Sequence, residues 1–175
     1  GARFFHASTA LNMKPQDITA GFDMVTICLS KGLGCPMGAV ILYDKEHFTK
    51  IRLLKQRLGG AMRQSGILAA AGLYALEHHL NRLEQDHINA QTLAQGLLAF
   101  PFLEVENPSP ATNMVFFHFK GQRPSPEAFG LLLEERGVRL SQVGPTRFRA
   151  VTHLDISAQD ISKTLKVIKE ISGEL

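Results

Sequence analysis

Cysteine is scarce in this chain: Cys28 and Cys35 are the only two in 175 residues. Their spacing matches neither a zinc ligand set nor a redox pair, so reduced, buried thiols are expected. No apolar run approaches the roughly 20 residues that cross a bilayer. No stretch has the build of a signal peptide, which makes a cytosolic or organelle-matrix setting the default, the cytoplasm being the expected one. Low-complexity tracts and internal repeats are missing, which argues against a disordered tail or a solenoid. The histidines offer no metal set. His78 and His79 are adjacent and diverge around a helix, His87 follows two turns later, and no carboxylate stands at zinc-motif spacing. Exposed helix faces are the expected home for all three. An initiator methionine is also absent: Gly1 opens the chain in what reads as the end of a strand or turn, as expected of a fragment.

What is present is an ordinary globular composition, 45% hydrophobic and 20% charged with a net charge of +3. The length suits one domain or two small ones with a real core. Positive charge gathers in Lys45, Lys50, Arg52, Lys55, Arg57 and Arg63. All of these but Arg63 fall in one helix, and the charge is not interleaved with aromatics, which argues against a nucleic-acid partner.

Residues 22–29 and 38–43 are short, largely apolar runs bounded by turn signals and read as buried strands of a parallel α/β sheet. Residues 9–13 have helical character, and residues 14–17 form a turn around Pro15. A basic amphipathic helix starts at Asp44-Lys45-Glu46 and buries Phe48, Ile51 and Leu54. Gly59-Gly60 breaks it, and one long helix is expected from Ile67 to about Phe100, where Pro101 stops it. Ala69, Ala70, Ala71 and Gly72 give that helix a small-residue face, and Leu76, Leu80 and Leu83 continue a core stripe. Beyond Pro101, strands are expected at 114–119, 138–140 and 147–152, with a turn at 121–124. Ser125-Pro126-Glu127 is a helix start, Gly137 a helix end, and Ser157 with Asp160 a capping box opening a last helix with Ile161, Leu165 and Ile168 inward. The expected division is residues 1–101, part of a larger α/β domain, and residues 102–175, a small α+β domain.

Three places carry chemistry. Lys31 lies between the first two strands in Ser30-Lys31-Gly32-Leu33-Gly34. An amine held out of water there loses its proton more readily and becomes a nucleophile toward aldehydes. The alternative is a lysine that caps a strand and snorkels to solvent. Arg147, Arg149, Val151 and His153 share one strand face, and two arginines there suit a carboxylate; the alternative is a solvated edge strand. Gly59-Gly60 with Arg63 suits an anion such as phosphate, the alternative being a solvated helix face.

These stretches together resemble the L-threonine aldolases. Gly1-Ala2-Arg3 is similar to the tail of an Asp-Gly-Ala-Arg motif. Residues 28–38, Cys28-Leu29-Ser30-Lys31-Gly32-Leu33-Gly34-Cys35-Pro36-Met37-Gly38, resemble the family's lysine segment. Leu58-Gly59-Gly60-Ala61-Met62-Arg63-Gln64 resembles its Gly-Gly-Gly-Met-Arg-Gln segment, and Arg149-Ala150-Val151-Thr152-His153 its Arg-x-Val-Thr-His motif. The motifs follow the family's order over nearly the whole chain.

The resemblance implies an enzyme of the aspartate-aminotransferase fold (fold type I) that uses pyridoxal phosphate (PLP). It implies retro-aldol cleavage of L-threonine or L-allo-threonine to glycine and acetaldehyde, in a cytoplasmic homo-oligomer, a dimer or tetramer with shared active sites. Lys31 would hold the cofactor covalently. Arg3 would approach its ring, Arg63 would reach its phosphate, and Arg149 would bind the substrate carboxylate; no metal is implied. Departures are Ala61 for the third glycine and Gln56 where members often carry lysine. The motif's Asp would stand just before Gly1, so the chain alone is expected to be inactive. Two other outcomes remain open: a transaminase or desulfurase of the same fold, or an inactive paralogue serving as an interaction module.

Overall fold

The computed structural model describes residues 1–120 and 125–174. The turn expected at 121–124 lies outside the described residues. The chain forms two compact units, Gly1–Leu83 and Glu84–Leu175.

The first unit opens with helix α1, Phe4–Leu11, which starts earlier than the sequence suggested. The turn expected around Pro15 is instead a short helix, α2, Pro15–Thr19, with proline in its first turn. Strands β1, Met24–Cys28, and β2, Ala39–Tyr43, pair antiparallel, with Met24 opposite Tyr43 and Cys28 opposite Ala39. The expected parallel arrangement is therefore corrected for this pair. Residues 29–38 are too few for a crossover, which needs about a dozen or more, and suffice to close an antiparallel pair.

The strands are also not buried: β1 sinks Ile27, whereas Val40, Ile41 and Leu42 of β2 are all more than 40% exposed. A 3-10 turn at Lys45–His47 leads into the basic helix α3, Phe48–Arg57. Helix α4, Gly66–His78, follows. The single long helix expected to reach Phe100 is two helices, because a 3-10 turn at Leu80–Arg82 interrupts it before α5, Leu83–Leu97. Among the described residues, no helix is long and apolar enough to cross a membrane.

The second unit packs α5 on a four-stranded antiparallel sheet of order β3-β4-β6-β5. Its strands are β3, Leu103–Val105; β4, Met114–Phe119; β5, Ser141–Gln142; and β6, Arg147–Val151. β3 was not read from the sequence, and the strand expected at 138–140 lies instead at 141–142. Helix α6, Pro126–Glu135, begins where expected: the Ser125 hydroxyl accepts from the Ala128 N–H at 3.3 Å. Gly137 ends it with φ +75°, a conformation open to glycine. Helix α7, Ala158–Glu174, opens with the reciprocal cap: Ser157 N–H donates to Asp160 Oδ2 at 2.9 Å and Asp160 N–H to Ser157 Oγ at 3.2 Å.

Alternation along β4 and β6 builds the core. Val115, Phe117 and Phe119 of β4 and Phe148 and Ala150 of β6 face inward. Phe117 stacks on Phe148, ring centroids 5.6 Å apart, and Phe129 of α6 meets Phe119 edge-on at 4.8 Å. Ala90, Leu93, Ala94 and Leu97 of α5 and Ile161, Ile168 and Ile171 of α7 complete the same cluster. A Cβ at Gly96 would meet Leu165 Cδ2 at 2.6 Å, so any larger residue there would force the Leu165 side chain of α7 to move. Phe117→Ala, in a fully buried site, should cost about 3–5 kcal/mol of stability. Leu131→Ala, 64% exposed, should stay within about 0.5 kcal/mol. Urea unfolding of the two variants, followed by circular dichroism, measures both.

Candidate active site

The residues between β1 and β2 alternate between anchor and display. Leu29, Leu33 and Cys35 point into the first unit's small core with Ala75, against Phe5 and Leu80. Backbone bonds hold the turn shut: Leu29 N–H to Gly38 O at 2.9 Å, Cys35 N–H to Leu29 O at 3.1 Å, and Gly34 N–H to Lys31 O at 2.7 Å. Gly34 and Gly38 take φ of +69° and +129°, which side chains resist. His79 Nδ1 lies 2.7 Å from the Leu33 carbonyl. The buried His6 ring fills the space a Cβ would need at Gly32. Lys31 itself is exposed. The expected burial of its amine is corrected for this chain: Leu29 and Leu33, on either side, take the inward positions and leave the lysine outward. Cys28 and Cys35 are free thiols; Cys35 is buried, and burial pushes its pKa up.

Arg3 is the N-terminal flank of α1 and half-buried; Arg63 is exposed in the segment between α3 and α4. Gly59, with φ +76°, turns the chain away from α3, and a Cβ at Gly60 would meet the Lys55 carbonyl at 3.2 Å. The donor set of this unit suits a phosphorylated aldehyde: a displayed primary amine on a pinned turn, and guanidinium groups for an anion.

In the second unit, β6 lies between β4 and β5, so the solvated-edge alternative for the arginine strand is overturned. Arg147 and Arg149 project from the sheet face opposite the core, across from His118 and Phe116 of β4. Their surroundings differ. Arg147 donates to Glu106 through Nε at 2.6 Å and Nη2 at 3.0 Å, a two-pronged carboxylate pair. It also lies over the Phe116 ring, 4.4 Å from its centroid, and His118 Nε2 is 2.7 Å from Glu106 Oε1. Arg149, among the described residues, has its Nε buried with no hydrogen-bond partner. The two arginines thus differ: Arg147 is paired with a carboxylate of this chain, and the Arg149 Nε, among the described residues, is not.

The end of β6 is tied down by a buried polar knot. Thr152 Oγ1 donates to the Asp86 carbonyl at 2.6 Å, Asn113 Nδ2 to the Thr152 carbonyl at 2.7 Å, and Thr152 N–H to the Asn113 carbonyl at 3.0 Å. His87 is buried rather than displayed, which corrects the exposed placement expected for it; burial lowers its pKa, partly countered by Asp86 and Glu84. His78 is exposed as expected. Sequence reasoning missed His6, Asn113, Glu106 and His118. A signal existed for Glu106: Leu103-Glu104-Val105-Glu106 alternates as a half-buried strand does. Among the described residues, no cluster of His, Cys, Asp or Glu is placed to hold a metal ion.

Residues 1–120 match the family model of the β-eliminating lyases, and the chain belongs to that family. The sequence is 38% identical over 97% of its length to low-specificity L-threonine aldolase 1 of Arabidopsis thaliana, of which it covers 48%. It thus spans about half the length of that curated relative. A crystal structure from Listeria monocytogenes, described as a candidate L-allo-threonine aldolase, superposes on 97% of this chain and 50% of its own (TM-score 0.80, 19% identity). A structure of SPT solved with PLP covers 89% of this chain and 41% of its own (TM-score 0.69, 17% identity). The fold is therefore that of these fold type I enzymes.

The Glu106 carboxyl is held below the usual glutamate range, chiefly by the hydrogen bonds from Arg147 and further by His118. A depressed carboxyl pKa stabilises the fold above the ordinary glutamate pKa, and that contribution is lost as pH falls through the lowered one. Carbon-detected NMR titration should place the Glu106 midpoint below that of ordinary glutamates, and Arg147→Ala should move it back up.

Proposed function

We propose that this chain supplies the lysine, phosphate-binding and carboxylate-binding elements of a PLP-dependent L-threonine aldolase, which cleaves L-threonine and L-allo-threonine to glycine and acetaldehyde. The observation that carries the reading is the contrast on β6: Arg147 is already paired with Glu106, while Arg149 has a buried, unpartnered Nε among the described residues. An amino-acid carboxylate would complete Arg149 through two parallel bonds, orienting the substrate before any bond breaks. Lys31, displayed from a turn whose neighbours are anchored, would hold the cofactor by its amine. Arg63 would neutralise the phosphate and Arg3 would lie beside the ring. When bound, PLP supplies an aldehyde to the lysine and an electron sink for the pair released on Cα–Cβ cleavage.

In the same reading, residues 1–101 complete a large domain and residues 102–175 form a small one. The enzyme is cytoplasmic and works as a homo-oligomer of two or four copies. The exposed apolar residues of the first unit, among them Met24, Val40, Ile41, Leu42, Ile67 and Leu73, support an assembly that covers them.

Full-length protein supplied with PLP should release acetaldehyde from L-threonine, measured by coupled NADH oxidation with alcohol dehydrogenase. No acetaldehyde, with keto acid or sulfide formed from other amino acids, would point to another reaction on the same fold. Borohydride reduction followed by peptide mapping should place the pyridoxyl adduct on Lys31; an adduct on another lysine would refute that assignment. Arg149→Lys should raise KM for threonine by about 10–100-fold while leaving PLP affinity within about twofold, because lysine lacks the planar fork.

A further inference from the structure

Glu106 and Arg147 form a two-pronged ion pair on the sheet face that carries Arg149, with side chains 34% and 39% accessible to solvent. A pair of this geometry, with His118 on the same carboxylate, contributes to folding although it is partly exposed. Glu106 leaves the end of β3 and takes both Nε and Nη2 of Arg147. His118, directly opposite Arg147 on β4, lies 2.7 Å from the same carboxylate oxygen. Phe116, directly opposite Arg149, lies under the Arg147 guanidinium. Arg147 is thereby held in the neighbourhood of Arg149, with one edge of its fork filled and its charge countered. The two arginines stand two positions apart on one strand face, roughly 7 Å along the backbone. Left free, Arg147 would be a second carboxylate receptor beside the first.

We propose that Glu106 is a specificity-determining residue: by occupying Arg147 against Phe116, it confines this sheet face to ligands with one carboxylate. The inference rests on the reading of Arg149 as the substrate-carboxylate residue. Glu106 needs no contact with substrate to act; it works by withholding Arg147. Its removal therefore adds an affinity, which a merely structural contact would not do.

The test uses full-length holoenzyme and compares L-alanine with L-aspartate, which adds a second carboxylate and lacks the β-hydroxyl needed for cleavage. Dissociation constants come from calorimetry, and kcat/KM is read for L-threonine against 3-hydroxyaspartate. Glu106→Gln should tighten aspartate relative to alanine by about tenfold, the effect of one added charge-assisted pair. It should shift the 3-hydroxyaspartate to threonine ratio in the same direction. Glu106→Asp should retain more of the native preference, and adding Arg147→Ala to Glu106→Gln should abolish the gain. An unchanged aspartate-to-alanine ratio in folded Glu106→Gln overturns the proposal, as does a gain that survives loss of Arg147. Arg147→Ala alone keeps it testable if the Glu106 variants do not fold: alanine affinity should stay within about twofold, and a tenfold loss would make Arg147 itself the receptor. Arg149→Lys separates the two readings. Unchanged alanine affinity there removes the carboxylate assignment itself, whereas a large loss together with a silent Glu106→Gln removes only the role of Glu106.

Discussion

The two-residue alternation of β4 and β6 is the constraint on which the second unit turns. Every other side chain of paired antiparallel strands must enter one face, so Phe117 opposite Phe148 and Val115 opposite Ala150 commit one side to the core. The same commitment sends Phe116, His118, Arg147 and Arg149 to the other side. A shift of β6 by one residue in register would bury two guanidinium groups and expose the Phe148 ring, so core and candidate site hold each other in place. The knot of Thr152, Asn113 and the Asp86 carbonyl fixes where β6 ends and α5 begins.

The first unit uses a different device. Its core is small, and its turn is held by glycines at positive φ, by backbone bonds and by the close contact of His6 with Gly32. Such a turn is stiff without being deeply buried, and it presents Lys31 to solvent with its neighbours anchored. The apolar residues that a larger sheet or a second copy would cover stay exposed on β2 and α4. A sheet of two strands accounts for the exposure of β1 and β2.

Nearest-neighbour chemistry was legible in the residues. Ser125-Pro126, Gly137 and the Ser157–Asp160 box announce helix ends because a hydroxyl, a fixed φ or a missing Cβ acts within three or four residues. The period of two at 147–151 and the helical stripe of Ile161 and Ile168 announce faces for the same reason. The motif around Lys31, with Arg63 and Arg149, carried the family resemblance from linear order alone. Less visible were β3, too short to stand out, and the break at Leu80–Arg82, where no proline or glycine interrupts the pattern.

By itself, then, the sequence determined the helix caps, the inward and outward faces of β6, and the family to which the lysine turn belongs, since each rests on local geometry or on residue order. Tertiary structure alone decided that β1 and β2 run antiparallel, that Lys31 is displayed rather than sunk, and that β6 is an interior strand. It alone distinguished Arg147 from Arg149. The two share a residue type and a strand face, and what separates them is a carboxylate 41 positions away in the chain, brought alongside by the pairing of β3 with β4 and of β4 with β6. Contacts of that separation depend on which strands meet, and no local pattern encodes them.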